Sequence, residues 1–199
     1  MKKIFSFVAF SVLLFSCSES SQNQEPVDEI VQEEVASVPD YGLQGKTIAQ
    51  QTFKVMSSKL QSAMLESGVE GAIVYCNASA FKIADSLSAH YNADIRRATP
   101  KPRNPNNGLT EAELAVYNIW AKKLESGQEL KPTTMEEEGK VHFYAPIQVK
   151  PLCLICHGEV GKTLVKKDYE VIYGLYPEDK AVGYEEGDLR GLWHITFKL

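Results

Sequence analysis

Leu189-Arg190-Gly191-Leu192-Trp193-His194-Ile195-Thr196-Phe197-Lys198-Leu199 closes the sequence with a clear alternation. Leu192, His194, Thr196 and Lys198 fall on one side, and Trp193, Ile195, Phe197 and Leu199 on the other. Successive side chains of a strand point to opposite faces, so the pattern predicts a half-buried strand. Lys140 to Val149 gives a second strand by the same reading, and Asp94 to Ala98 a short third one.

Working back from these strands, the apolar period becomes helical. Phe53, Met56, Leu60, Ala63 and Met64 predict a helix over Lys46 to Glu66, with Gly68 as its stop. Glu70 to Tyr75 is a short apolar stretch leading into Cys76. Asn77 to Tyr91 forms a second helix with Phe81, Ala84, Leu87 and Ser88 along one face. Thr99 to Leu109 is rich in Pro and Asn and reads as a loop. Thr110 and Glu113 have the spacing of a capping box, which opens a third helix with Leu114, Tyr117, Trp120, Ala121 and Leu124 as its stripe and Gly127 as its end. Gly183, Gly187 and Gly191 are expected to mark turns. Helices come first and strands follow, so the class is α+β.

The N-terminus reads as a targeting segment. Lys2 and Lys3 precede an apolar run, Ile4 to Phe15, that is too short to span a bilayer. Leu14-Phe15-Ser16-Cys17 resembles the bacterial lipobox, in which the cysteine is acylated and becomes the first residue. Residues 1–16 are therefore expected to be a signal peptide, and 17–40 an acidic tether lipidated at Cys17. The tether holds seven acidic residues and no Lys or Arg. Acyl chains would hold the chain at a membrane surface on the extracytoplasmic, periplasmic side. The folded domain is expected over 41–199, where 19 basic residues balance 19 acidic ones. Without a basic run, no nucleic-acid partner is expected.

Cys153-Leu154-Ile155-Cys156-His157 carries the chemistry, for it is the attachment pattern of haem c. Two thiols add across the vinyl groups of one porphyrin edge, and two intervening residues let one helical turn present both sulfurs. The adjoining imidazole of His157 then reaches the iron from one face. One covalent haem is the expected cofactor. Three readings compete. A thioredoxin-like pair would sit in a βαβ unit, which is missing from the pattern. A Cys3His zinc site could use Cys76, Cys153, Cys156 and a histidine. A disulfide between residues this close would be strained.

The second axial position has seven candidates from the residues alone: Cys76, His90, His142, His194, Met56, Met64 and Met135. Cys76 is set apart by its place just before a predicted helix, where amide groups and the helix dipole favour a thiolate.

Several runs together resemble a bacterial single-haem c-type family long described as a domain of unknown function. They are Arg96-Arg97-Ala98-Thr99, Lys101-Pro102-Arg103-Asn104-Pro105-Asn106-Asn107, Cys153 to Gly158, Asp179 to Tyr184, and Gly187-Asp188-Leu189-Arg190-Gly191. The likeness covers most of Gly45 to Leu199. It implies a PAS-like antiparallel sheet with N-terminal helices, found alone or ahead of sensor kinases and chemoreceptors. It also implies that Cys76 is the axial ligand opposite His157. A thiolate ligand holds iron at low potential, so the resemblance implies a haem-based redox or gas sensor or a low-potential electron carrier. The sequence ends at Leu199 without a kinase or receptor segment, so a separate redox or signalling protein is the expected partner, with a small gas as a further ligand. Arg103, and after it Arg97 and Lys101, are candidates to pair with a haem propionate, since the arginine fork matches a carboxylate. A peroxidase-type enzyme would need a distal acid-base pair, and none is assignable, so an electron-transfer or sensing role is preferred over catalysis.

Overall fold

The computed structural model describes residues 40–199. The expected signal peptide, lipidation at Cys17 and most of the tether lie outside the described residues. Among those described, no helix is long and apolar enough to cross a membrane.

The chain is α+β with an antiparallel sheet and N-terminal helices, as expected. Its strands are β1 (Asp94–Ala98), β2 (Thr133–Glu137), β3 (Lys140–Gln148) and β4 (Leu189–Lys198), in the order β1-β4-β3-β2. The alternating C-terminal stretch is thus a central strand. Trp193, Ile195 and Phe197 join Ile95, Val141, Phe143 and Ala145 in one buried cluster, while Leu192 and Leu189 join Tyr144, Val116 and Trp120 in another. Alternation puts a core on each face of β4, which is why this strand dictates the arrangement around it.

The helix α1 (Tyr41–Tyr91) differs from expectation. It runs through both predicted helices, broken only at Gly68, whose φ of 68° and ψ of −170° are not helical. Gly68 thus ends the first arm where the sequence places the stop; what differs is that Glu70 to Tyr75 is already helical, because the second arm starts directly after the break. The helix starts on Asp40, whose carboxylate accepts from the Leu43 amide at 2.9 Å. Both arms return to the same sheet face: Tyr41, Ile48, Ala49 and Met56 from the first, Leu87 and Tyr91 from the second. Between them, Val69 and Ile73 pack against Leu164 and Ile172.

The helix α2 (Glu111–Glu125) has the predicted capping box. The Glu113 amide donates to Thr110 Oγ1 at 3.3 Å, and the Thr110 amide donates to Glu113 Oε2 at 2.8 Å. Two further helices follow: α3 (Leu154–His157), which is part of the cysteine motif, and α4 (Lys166–Leu175), which comes after it. The strand β2 and the helix α4 escaped the sequence reading. β2 is a polar, exposed edge, and α4 is a ten-residue, mostly polar helix that buries only Ile172 fully, too short to stand out as a helical pattern. Gly183 and Gly187 occupy positive φ, at 73° and 92°, as turn glycines do. Gly191 does not mark a turn. It lies within β4, where a methyl group would land on the Ala98 carbonyl oxygen.

Candidate functional site

The motif occupies one continuous turn. Pro151–Cys153 forms a 3-10 turn that runs into α3, with the Cys153 amide donating to the Lys150 carbonyl at 2.8 Å. Proline pre-sets the backbone for that start. Cys153 and Cys156 are three residues apart, so they share one side of the turn. Both thiols are free and half-buried. The turn ends at Gly158, whose amide donates to the Leu154 carbonyl at 2.9 Å. A side chain there would collide with Thr163 Oγ1 and stand 2.7 Å from the Leu154 oxygen.

His157 is held by the segment 179–184, which straps across the turn. Its Nδ1 donates to the Ala181 carbonyl at 2.8 Å. A carbonyl can only accept, so Nδ1 carries the hydrogen and Nε2 keeps its lone pair. The Tyr184 amide donates to the His157 carbonyl at 3.0 Å, and the Gly183 amide donates to the Gly158 carbonyl at 2.9 Å. Burial pushes the pKa of His157 well below the usual histidine value, and the guanidinium groups of Arg190 and Arg103 lower it further, against the pull of the Ala181 bond. The ring is therefore a neutral imidazole, the form that ligates metals.

Arg103 ties the loop to both. Its Nε and Nη2 lie 3.2 Å from Asp179 Oδ1 and Oδ2, and Nη2 donates to the Cys156 carbonyl at 2.6 Å. The Asp179 side chain is fully buried, and its Oδ1 also accepts from the Ala181 amide at 2.8 Å. Asp179 thus connects Arg103 to the residue that orients His157. Lys101 donates to the Val182 carbonyl at 2.7 Å and stacks over the Tyr184 ring at 4.3 Å. Arg190 also lies over that ring, at 5.0 Å.

Cys76 lies inside α1, about two helical turns past Gly68. That corrects the argument from a helix start: the free amide groups of a first turn are not at Cys76. Burial raises the Cys76 thiol, while the positive charges of Arg97 and Arg103 pull it down. Cys76 and Cys156 are close enough for charge on one to raise the other, and burial with this neighbour takes Cys156 up to about 11. The helix thus brings Cys76 near Cys156. Arg97 faces Cys76, stacks over Trp193 at 5.7 Å, and has no hydrogen-bond or ion-pair partner among the described residues. The other candidates are elsewhere. His142 and His194 contact each other on the sheet, His90 meets Tyr91 edge to face, and Met56 packs in the core.

A cleft of about 240 Å³ is lined by Asn77, Arg103, Pro105, Leu175, Tyr176 and Glu178, and neither Cys76 nor the cysteine motif lines it. The donor set fits a haem joined through two thioethers. It offers two free thiols on one turn and an oriented Nε2, and Arg103 Nη1 has no partner among the described residues. The rivals fit less well. Among the described residues no group of three or more His, Cys, Asp or Glu could hold a metal ion, so the Cys3His reading has no ligand set. The sheet is wholly antiparallel, so the βαβ frame of a thioredoxin-like pair is missing.

A family model described as Tll0287-like matches residues 22–197. Among solved structures, the chain is similar to that of the cyanobacterial heme-protein Tll0287. The TM-score is 0.56 at 22% identity, over 80% of this chain and 97% of that one. No curated protein matches the chain.

Proposed function

This chain belongs to the Tll0287-like family, and from that premise and the motif's geometry we propose that it is a mono-haem c-type cytochrome. In this reading Cys153 and Cys156 hold the haem covalently, His157 Nε2 is one axial ligand, and the Cys76 thiolate is the other. When bound, the haem supplies one-electron chemistry and an iron that can take a small gas. The observation that carries the reading is the His157–Ala181 hydrogen bond, which leaves Nε2 free on the turn that bears both thiols. The matched relative's description as a heme protein supports it.

The chain's own residues tune the site. Burial favours the protonated Cys76 thiol, and Cys76 would hold the iron as a thiolate. Arg97 beside it then compensates the thiolate's charge. Arg103 Nη1, which has no partner among the described residues, is the propionate contact in this reading. Thiolate ligation gives a low potential, which suits a redox or gas sensor in which Cys76 is displaced, or a low-potential carrier. Lipidation at Cys17 places the protein on the periplasmic side of a membrane, passing its signal or electron to a separate protein. The rival, a simple electron carrier without sensing, is separated by gas binding.

The test uses full-length protein from cells competent in cytochrome maturation. Haem that survives acid-acetone extraction, with the polypeptide mass raised by one haem, supports the reading. Colourless protein at the plain mass overturns it. Cys76→Ala is expected to abolish a thiolate-type oxidised spectrum; an unchanged spectrum rules out Cys76. Rapid carbon monoxide binding by the reduced form favours sensing, and its absence favours a carrier.

A further inference from the structure

We propose that His142, His194 and Thr196 form a binding site for a divalent transition-metal ion of the zinc class. It lies on the α2-facing side of the sheet and is independent of the cysteine motif.

The strand register creates the cluster. Thr196 of β4 stands opposite His142 of β3, and His194 stands opposite Tyr144, so His142 and His194 are diagonal neighbours on one face. His142 Nδ1 and His194 Nε2 are 2.9 Å apart. Thr196 Oγ1 lies 3.1 Å from His194 Nε2 and 3.5 Å from His142 Nδ1. These three atoms form a triangle. A tetrahedral zinc with bonds of about 2.0–2.1 Å needs ligand–ligand edges of about 3.3 Å and imidazole centroids about 5.2 Å apart. The triangle's edges bracket that value, and the two ring centroids are 5.2 Å apart. A small tilt of the rings would admit the ion without moving their centres.

The surroundings have the form of a metal site's outer shell. His194 Nδ1 donates to Glu113 Oε1 at 2.8 Å, which leaves His194 Nε2 with its lone pair toward the triangle. A carboxylate behind a ligating histidine fixes its tautomer and ring orientation. Glu113 is itself fixed. Its side chain is fully buried, Arg96 Nε lies 3.2 Å from Oε1, and the Thr110 amide donates to Oε2 at 2.8 Å. The Tyr144 ring stacks on His194 at 4.4 Å and restrains its rotation. His142 is half-buried at the side nearer Glu137, Glu138 and Lys140, so an ion can enter there. Two imidazoles and a hydroxyl leave the fourth position to water. Imidazole ligands select zinc, copper or nickel, and the triangle favours the tetrahedral ion.

The same contacts also describe an N–H···N bond between the rings, in which a proton holds the place of the metal. Zinc titration of the holoprotein by calorimetry separates the two. The four histidines are 90, 142, 157 and 194, so His90 is an internal control. One equivalent of Zn(II) should bind wild type and His90→Ala alike. His142→Ala and His194→Ala should each lose that equivalent. Glu113→Gln should keep the stoichiometry with affinity lowered by about 10–100-fold. If wild type takes up no zinc, or if all variants bind it equally, the proposal fails and the rings are hydrogen-bonded only. Circular dichroism checks each fold. Should His194→Ala unfold, His142→Ala still decides, because His142 is not tied to the buried Glu113.

Discussion

Arg103 and Asp179 form a two-point ion pair, with Nε and Nη2 each 3.2 Å from a carboxylate oxygen. They are 76 residues apart in sequence, yet the same Nη2 also holds the carbonyl of Cys156. The pair therefore fastens the Pro/Asn loop, the strap and the cysteine turn at one place. Removing one partner of a buried pair leaves the other charge uncompensated. Arg103→Ala is expected to destabilise the fold by about 3–5 kcal/mol in urea unfolding. The double variant Arg103→Ala/Asp179→Ala should lose less than the sum of the single variants. Strict additivity would show that the pair does not act as a unit.

Gly158 is the second point where the cysteine turn is constrained. If the proposed haem attachment holds, Gly158→Ala should lower the fraction of polypeptide that carries haem, read from the ratio of haem absorbance to protein. Thr163→Ala should not restore it, because the methyl also meets the Leu154 backbone oxygen at 2.7 Å. Full rescue by Thr163→Ala would mean that only the flexible hydroxyl was in the way.

Gly45 lies against the ring of Phe143, where the first arm of α1 crosses β3, and a methyl there would fall inside the ring. Overpacking of this kind costs about 1–3 kcal/mol. Gly45→Ala should therefore lower the unfolding midpoint, and adding Phe143→Leu should recover part of the loss. A double variant no more stable than Gly45→Ala alone would place the strain elsewhere.

Glu113 gives an acid limb to stability. Burial by itself would raise its pKa, but the His194 bond, the Thr110 amide and the Arg96 charge outweigh it, so the folded value is below the ordinary one. A carboxylate depressed on folding contributes stability above its unfolded pKa of about 4.3 and loses it as pH falls through the folded value. Urea midpoints measured with chelator present should fall below that pH in wild type and fall less in Glu113→Gln. Parallel curves would remove Glu113 as the cause.

The sequence reveals the elements that have a strong period. The β4 alternation, the Thr110–Glu113 capping box and the cysteine turn were all legible because each is local. Cys76 lies near Cys156, but the local argument for its reactivity failed. Gly68 was legible as the stop it is, whereas the start of the next helix directly after it, through Glu70 to Tyr75, was not. Asp179 and Ala181 had no signal of their own beyond the resemblance, since their roles depend on a strap that meets the motif across 24 residues of chain. The His142–His194–Thr196 cluster was equally hidden. Each residue sat in a predicted strand, but their meeting depends on a register that periodicity does not specify.

The bend at Gly68 also sets a rotational phase. Each residue of the second arm turns the next by about 100° around the helix axis, so the eight positions from Gly68 to Cys76 fix which way the thiol looks. One alanine inserted between them would swing Cys76 away from Cys156 while leaving the first arm seated on the sheet. Evolution can lengthen the loops of this domain far more freely than it can alter that short count.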